Sequence, residues 1–166
     1  IAKRAHELRD VTVLSTVSIR KGPFETYKAT ENNEQVRFYS AHFSGNDRNM
    51  SRDGRCWYIP MLFCELPFLW TNNKNDIDIA MFQVAPMDAF GNFNLGPQVA
   101  DMWGVIKAAK KIIVEVNENM PVALGYQTSI NLADIDHVVI GSNTPLAELP
   151  AKEASEIDKL IAGHVV

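Results

Sequence analysis

The sequence has few of the features that mark a secreted, membrane-spanning or nucleic-acid-binding protein. Its 166 residues include only two cysteines, Cys56 and Cys64, too few for a disulfide scaffold. We therefore expect free thiols, both acting as small buried hydrophobic residues, and a reducing, cytoplasmic location. The net charge of −4 argues against a nucleic-acid partner, which usually requires a basic face. The longest apolar run, 59–70, is broken by two prolines and a glutamate and falls short of the roughly 20 residues that span a bilayer. We expect no membrane partner.

Common metal and catalytic motifs are also scarce. The four histidines have no metal-ligand spacing such as HExxH; they are His6, His42, His137 and His164. No GxSxG elbow or P-loop occurs, and we predict no metal site. The segment GNFNLG, residues 91–96, precedes a helical pattern and could offer N–H groups to an anion. A tight turn between a strand and a helix is the simpler interpretation, and we prefer it.

Two glutamates and one group of arginines are candidate chemical residues. Glu65 and Glu115 each lie within apolar stretches, where a carboxylate could act as a nucleophile or a base. We favour structural roles for both: a helix start for Glu65 and a paired edge residue for Glu115. Arg48, Arg52 and Arg55 could bind phosphate or carboxylate groups, but such a group more often forms a solvated face. We predict no catalytic residue in this chain.

Apolar strand-like runs alternate with helical patterns along the chain. Strands are predicted at 11–19, 36–43, 56–60, 77–85, 111–116, about 122–124 and about 135–140. Helices are predicted over 1–9, over 61–70 with an early end at Pro67, over 96–110, and near the end of the chain. A short helix capped by Ser44 or Asn46 is predicted within the 44–54 loop. This alternation predicts an α/β fold with a mostly parallel sheet and flanking helices.

The position of the loops in that fold predicts a binding edge. The runs 77–85 and 111–116 are nearly continuous in apolar residues, as in strands that are covered on both faces. Ligands of such sheets bind beyond the carboxyl ends of the strands. This places Ala85–Asp88 and the 91–96 loop at the binding edge, together with Asn117–Pro121 if the two strands are parallel neighbours.

Three longer segments carry a family resemblance. They are DGRCWYIPMLFCELPFLW (53–70), DIDIAMFQVAPMDAFGNFNLG (76–96) and KKIIVEVNENMPVALGYQTSINLADIDHVV (110–139). Each resembles a recurring segment of the acetyl-CoA hydrolase/transferase family, and the PLAELP stretch (145–150) with the closing helix fits as well. Each segment alone is a weak signal, whereas the combination covers nearly the whole chain.

The resemblance implies an enzyme built from two related α/β halves. Members move coenzyme A between an acyl-CoA and a short carboxylate such as acetate, with a glutamate nucleophile that forms a glutamyl-CoA thioester. By this resemblance the nucleophile lies in the second half, so it is not carried over to Glu65 or Glu115. No cofactor is expected to be bound permanently, because the coenzyme A thioester is a substrate. We expect 1–150 to be an N-terminal CoA-transferase-like domain trimmed at its start, and 151–166 to be a helix leading into the missing C-terminal half.

The loops at the predicted edge supply the candidate binding residues. We expect Gln83, Pro86, Asn94, Gly96 and Met120 to line one side of the acyl site, facing the missing half. Other positions on these loops depart from the family pattern, which leaves the acyl group open; they are Ala85, Met87, Val122, Ala123, Tyr126 and Gln127. An acyl-CoA hydrolase and a sugar-phosphate isomerase-like enzyme are the alternative functions. The parent is expected to be a homo-oligomer, and the isolated chain to be inactive.

Overall fold

The architecture is two small parallel sheets with helices packed beside them, seen in a computed structural model that describes residues 1–16, 24–30, 32–72 and 77–165. The strands are β1 (Val11–Ser15), β2 (Val36–Ser40), β3 (Cys56–Tyr58), β4 (Ile77–Val84), β5 (Asn92–Asn94), β6 (Ala109–Val116), β7 (Ser129–Asn131) and β8 (His137–Ile140). The α-helices are α1 (Glu25–Ala29), α2 (Gly45–Arg52), α3 (Leu66–Asn72), α4 (Val99–Ala108) and α5 (Glu156–Gly163). Four 3-10 segments complete the described structure, at Ala2–Glu7, Phe63–Glu65, Gly96–Gln98 and Leu132–Asp134.

Both three-stranded sheets are wholly parallel, which confirms the predicted fold class. The first sheet has the order β1-β2-β3 and the second the order β4-β6-β8, and β5 pairs antiparallel with β7. The main core lies between the second sheet and α4, where Val84, Val114 and Leu95 are fully buried. Burial of this apolar surface is the principal driving force for the fold.

The first sheet matches most of its predicted pattern. Val36, Phe38 and Ser40 share the buried face of β2, as the period of two predicted. The strand ends at Ser40, three residues earlier than predicted. The predicted 11–19 strand is seen over β1, and its part at 17–19 lies outside the described residues. Helix α2 begins with a capping box in which Ser44 and Asp47 each accept a backbone N–H of the other, so Ser44 is the cap.

Several local predictions were wrong. Pro67 does not end a helix; it is the second residue of α3, where proline is tolerated because a first-turn N–H has no partner in the helix. Thr71 and Asn72 are the last residues of this helix, which extends two residues past the predicted 61–70 range. Residues 122–124 form no strand, and the strand of that region is β7, which pairs with β5. The first predicted helix is a 3-10 segment with non-helical backbone at Arg4.

The second sheet is covered on one face only, contrary to expectation. Ala80, Phe82 and Val84 face the core, while Ile79 and Met81 on the other face are 50% and 55% exposed. Apolar residues therefore occupy both faces of β4, although only one of these faces is covered in this chain. Among the described residues, no helix is long and apolar enough to cross a bilayer.

Candidate functional site

The carboxyl ends of β4, β6 and β8 lie side by side and define the candidate site. Hydrogen bonding continues past the strand ends, since the N–H of Asn117 donates to the carbonyl of Val84 at 2.9 Å and the N–H of Gly141 donates to that of Val116 at 2.9 Å. The segments that follow the three strands therefore start from one edge, which we call the carboxyl rim: 85–88, 117–121 and 141–144. The sequence predicted the first two of these segments at this edge.

A fully buried asparagine joins the parts of the carboxyl rim. The Nδ2 group of Asn117 donates to Gln83 Oε1 at 3.2 Å and to the Thr144 carbonyl at 2.9 Å. Its Oδ1 accepts the N–H of Asn119 at 2.9 Å. A buried amide with its hydrogen bonds satisfied fixes the surrounding backbone, because losing a partner would leave a desolvated polar group. Asn117 was missed as a key residue; the signal was a polar residue directly after an apolar strand.

Gln83 connects this asparagine to a glutamate. Gln83 Nε2 donates to Glu115 Oε1 at 3.1 Å, and the two residues are register partners on β4 and β6. Both are half-buried on the face of the sheet that is open. The expectation that Glu115 is paired holds, but it lies in the central strand and not in an edge strand. The role of Gln83 as a lining residue stays a prediction; the structure gives it a bridging position between Glu115 and Asn117.

Asn94 holds the second loop of the predicted site. Its Oδ1 accepts the N–H groups of Gly96 and Ala123, both at 2.9 Å, and its Nδ2 donates to the Ala123 carbonyl at 2.9 Å. The Asn94 amide therefore accepts a hydrogen bond from the N–H of Ala123 and donates one to the Ala123 carbonyl. This fixes the 121–127 loop against the end of β5, so that Leu124 and Tyr126 project outward with 94% and 86% exposure.

Gly96 and Met120 are in direct contact below that loop. Gly96 has a φ of +60°, and a Cβ built on it would overlap the Met120 side chain and lie 3.0 Å from the carbonyl oxygen of Pro121. Only glycine combines this backbone conformation with such a close approach. Met120 is itself buried, and its N–H donates to the Asn117 carbonyl at 3.0 Å. Asn94, Gly96 and Met120 are therefore linked in one cluster. Met120 is a buried residue of the rim, whereas Pro86 lies exposed on it.

The glycine-containing loop before α4 is organised by an aspartate. Asp88 Oδ1 accepts the N–H groups of Asn92 and Phe90, both at 2.8 Å. The pKa of the Asp88 carboxyl lies below its usual range, mainly because the N–H of Asn92 donates to it. Burial opposes this shift, whereas the side chain of Asn92 and the N–H of Phe90 lower the pKa further. These amides are already occupied by a carboxylate, which favours the structural interpretation of the loop over an anion site.

The remaining candidates have structural partners. Glu65 Oε2 accepts the N–H of Leu62 at 2.8 Å, as expected for a helix start. Arg55 donates to the carbonyls of Tyr27 at 3.1 Å and Thr30 at 2.7 Å, and it lies over the Tyr27 ring. It therefore packs inward and is not part of a solvated face, whereas Arg48 and Arg52 are exposed.

The cysteines and histidines show no metal-site geometry. Cys56 is buried, and burial, with the charge of Asp47 as a second cause, raises its pKa to about 11, which makes it a poor nucleophile. Cys64 is exposed, contrary to expectation. His137 is the first residue of β8, as the sequence predicted for a strand residue. Within the described ranges, no group of three or more His, Cys, Asp or Glu side chains could hold a metal ion.

The fold is similar to that of a 4-hydroxybutyrate CoA-transferase from Porphyromonas gingivalis, with a TM-score of 0.63, 17% identity, and coverage of 89% of this chain and 40% of that one. It is also similar to RipA from Yersinia pestis, with a TM-score of 0.76, 26% identity, and coverage of 93% of this chain and 37% of that one. The architecture is therefore CoA-transferase-like.

The sequence comparisons assign the family. Residues 1–150 match the acetyl-CoA hydrolase/transferase N-terminal domain, and the chain belongs to this family. It is 34% identical over 168 residues to the butyryl-CoA:acetate CoA-transferase of Anaerostipes caccae, covering all of this chain and 37% of that protein. It is 32% identical over 151 residues to the 4-hydroxybutyrate coenzyme A transferase of Clostridium kluyveri, covering 90% of this chain and 34% of that protein. The chain thus spans about a third of the length of these relatives.

Proposed function

We propose that this chain is the N-terminal part of a CoA-transferase that moves coenzyme A between an acyl-CoA and a short carboxylate such as acetate. The observation that carries the proposal is similarity along the whole chain to a protein described as a butyryl-CoA:acetate CoA-transferase. Family membership favours coenzyme A chemistry over the sugar-phosphate alternative. Acyl-CoA hydrolysis remains the alternative outcome, because the family includes both activities.

The proposed reaction divides one exchange into smaller covalent steps. A glutamate outside this chain attacks the acyl-CoA carbonyl, which gives an acyl-glutamyl anhydride and releases the CoA thiolate. The thiolate then attacks the glutamyl carbonyl, releasing the first carboxylate and leaving a glutamyl-CoA thioester. The acceptor carboxylate then attacks the glutamyl-CoA carbonyl, which gives a new acyl-glutamyl anhydride and releases the CoA thiolate. The thiolate attacks the acyl carbonyl of this anhydride, which gives the new acyl-CoA and frees the glutamate, so no external reductant or oxidant is needed.

In this proposal, the described chain supplies one wall of the acyl site. The network from Glu115 through Gln83 to Asn117 fixes the carboxyl rim, and Asn94 fixes the loop beside it. A preorganised wall reduces the entropy lost when a substrate is positioned for attack. Pro86 and the outward residues of the 121–127 loop would face the substrate, while Gly96 and Met120 support them from below. The parent is proposed to act as a homo-oligomer in the cytoplasm, with no permanent cofactor.

The activity is tested on the full-length protein. With butyryl-CoA and acetate, we expect acetyl-CoA to form in amounts equal to the butyrate released, with no net increase in free thiol. Thiol release without a requirement for acetate would identify a hydrolase instead. If no short carboxylate accepts coenzyme A and no thiol appears, the proposed function is wrong.

The isolated chain of 166 residues provides a second test. We expect it to catalyse no thioester exchange, because the proposed nucleophile is supplied by the rest of the protein. Turnover by the isolated chain that is abolished by Glu65→Ala would show that the nucleophile had been misplaced. Glu115→Ala serves as the parallel variant, since Glu115 is the other candidate carboxylate within an apolar stretch.

A further inference from the structure

A small cavity lies at the carboxyl ends of the first sheet, and its lining includes none of the five residues predicted to line the site. Its volume is about 90 Å³. Thr16 follows β1, Ala41 and His42 follow β2, and Tyr58 is the last residue of β3, so each strand contributes to its lining. The carboxyl ends of parallel strands are where α/β proteins bind ligands.

The backbone around the cavity is held in place by Ser40. Its hydroxyl lies 3.1 Å from the carbonyl of His42 and 3.3 Å from that of Thr16, and it is fully buried. The N–H of Ala41 donates to the Ser15 carbonyl at 3.1 Å, and the N–H of Ile59 donates to the Ser40 carbonyl at 2.9 Å. The ends of all three strands are therefore fixed relative to one another.

One part of the lining is apolar. Ala41 and Leu66 are 8% and 2% exposed and belong to a core cluster with Trp70. Met61 is half-buried, and Phe63 is 61% exposed. These side chains can remove a hydrocarbon chain from water, which is favourable by an amount proportional to the apolar area covered.

The other part of the lining is polar. Thr16 and Tyr58 carry hydroxyl groups, and His42 carries an imidazole; each of the three can donate a hydrogen bond. A ligand with a short apolar chain and one oxygen-bearing end matches this combination. An apolar cavity of about 150 Å³ accepts benzene, with its six carbons, so this smaller cavity would accept about three or four carbon atoms.

We propose that this cavity binds the acyl chain of a short-chain acyl-CoA or the matching free carboxylate, and so determines chain-length preference. The inference rests on the proposed function for its ligand class. Ala41, Met61, Phe63 and Leu66 contact the methylene groups, while His42 and Tyr58 donate to the carboxylate or thioester oxygen. In this inference the first sheet selects the acyl chain, and the carboxyl rim of the second sheet contacts the rest of the substrate.

The test compares two phenylalanines of equal exposure in the full-length protein. Phe63 lines the cavity and Phe68 does not, although each is 61% exposed, so neither replacement threatens the core. Each methylene group buried contributes roughly a fourfold preference. For Phe63→Ala, we expect the ratio of kcat/KM for butyryl-CoA to that for acetyl-CoA to fall at least about fourfold. For Phe68→Ala, we expect this ratio to stay within about twofold of the wild type.

A second variant and a binding measurement separate this inference from the proposed function. Ala41→Val narrows the cavity, and we expect it to reduce kcat/KM for butyryl-CoA more than for acetyl-CoA. By calorimetry, butyrate should bind more weakly to Phe63→Ala than to Phe68→Ala. If both cavity variants retain activity and the wild-type ratio, the cavity is not the acyl site, although the CoA-transferase proposal stands. If the wild type has no activity on acyl-CoA, the proposed function is wrong. Equal butyrate binding by Phe63→Ala and Phe68→Ala would then also show that the cavity does not bind the acyl chain.

Discussion

Individual side-chain amides and carboxylates define the loops of the candidate site. Asn94 and Asn117 each fix backbone segments that are distant in sequence, through bonds to residue 123 and to Thr144. The sequence identified Asn94 as a candidate because it lies in the 91–96 loop. It did not reveal what Asn94 binds, because the partner is 29 residues away and is brought near only by the pairing of β5 with β7.

The carboxyl of Asp88 provides a pH-dependent test at the residue scale. We expect its pKa, followed by NMR titration, to lie below the usual aspartate value of about 3.9, because the N–H of Asn92 is its main partner. A lowered folded-state pKa gives a stability contribution that is present above the unfolded-state pKa. This contribution is lost as the pH falls through the folded-state value.

Two variants distinguish the backbone N–H of Asn92 from its side-chain amide as the donor that lowers the pKa of Asp88. Asn92→Ala removes the amide side chain but keeps the N–H that donates to Asp88, so the pKa should stay below its usual range. Asp88→Asn should remove this part of the acid dependence and lower the melting temperature near pH 7, with the difference shrinking at lower pH. An Asp88 carboxyl that titrates at the usual value would contradict the assigned hydrogen bonds.

At the scale of elements, α3 and α4 pack closely because one position carries no side chain. A Cβ on Gly104 would lie 2.8 Å from both the Cα and the carbonyl oxygen of Pro67. Beside this contact, Trp70 Nε1 donates to Asp101 Oδ2 at 2.9 Å, and both residues are buried. The periodic apolar pattern predicted α4, but the glycine gave no indication of its partner helix.

Gly104→Ala is expected to destabilise the full-length protein by up to about 2 kcal/mol. Alanine favours a helix by about 1 kcal/mol relative to glycine, but overpacking against atoms that cannot rotate away costs about 1–3 kcal/mol. Gly45→Ala is the control, since Gly45 is also helical and a Cβ added there would have no heavy atom within 4 Å. Urea denaturation should show a loss for position 104 and a small gain or no change for position 45. A gain at both positions would contradict the close packing of the two helices.

At the scale of the whole molecule, the open face of the second sheet is the dominant feature. Ile79 and Met81 lie on this face, as does the register partner of Met81, Ile113. Helix α5 also exposes Ile157, Leu160 and Ile161. Contiguous exposed apolar surface usually marks an interaction site or a tendency to associate.

We expect the isolated 166-residue chain to self-associate through this face. Sedimentation velocity should show a concentration-dependent increase in size that Met81→Lys reduces, because a charge opposes burial of the face. Thr12→Lys is the matched control; it adds the same charge at an exposed position of β1 and should leave the association unchanged. Equal effects of the two lysines would indicate a general charge effect and contradict association through the open face.

Local patterning determined much of this protein from the sequence alone. The period-two face of β2, the apolar runs of β4 and β6 and the capping box at Ser44 all depend on residues close together in the chain, where propensity and hydrogen-bonding chemistry act directly. The tertiary structure alone decided which strands are neighbours, which face of the second sheet is open, how Gln83 links Glu115 to Asn117, and that a cavity forms at the ends of β1, β2 and β3. These features depend on contacts between residues tens of positions apart, whose energies are set by packing and burial and are not encoded in any local pattern.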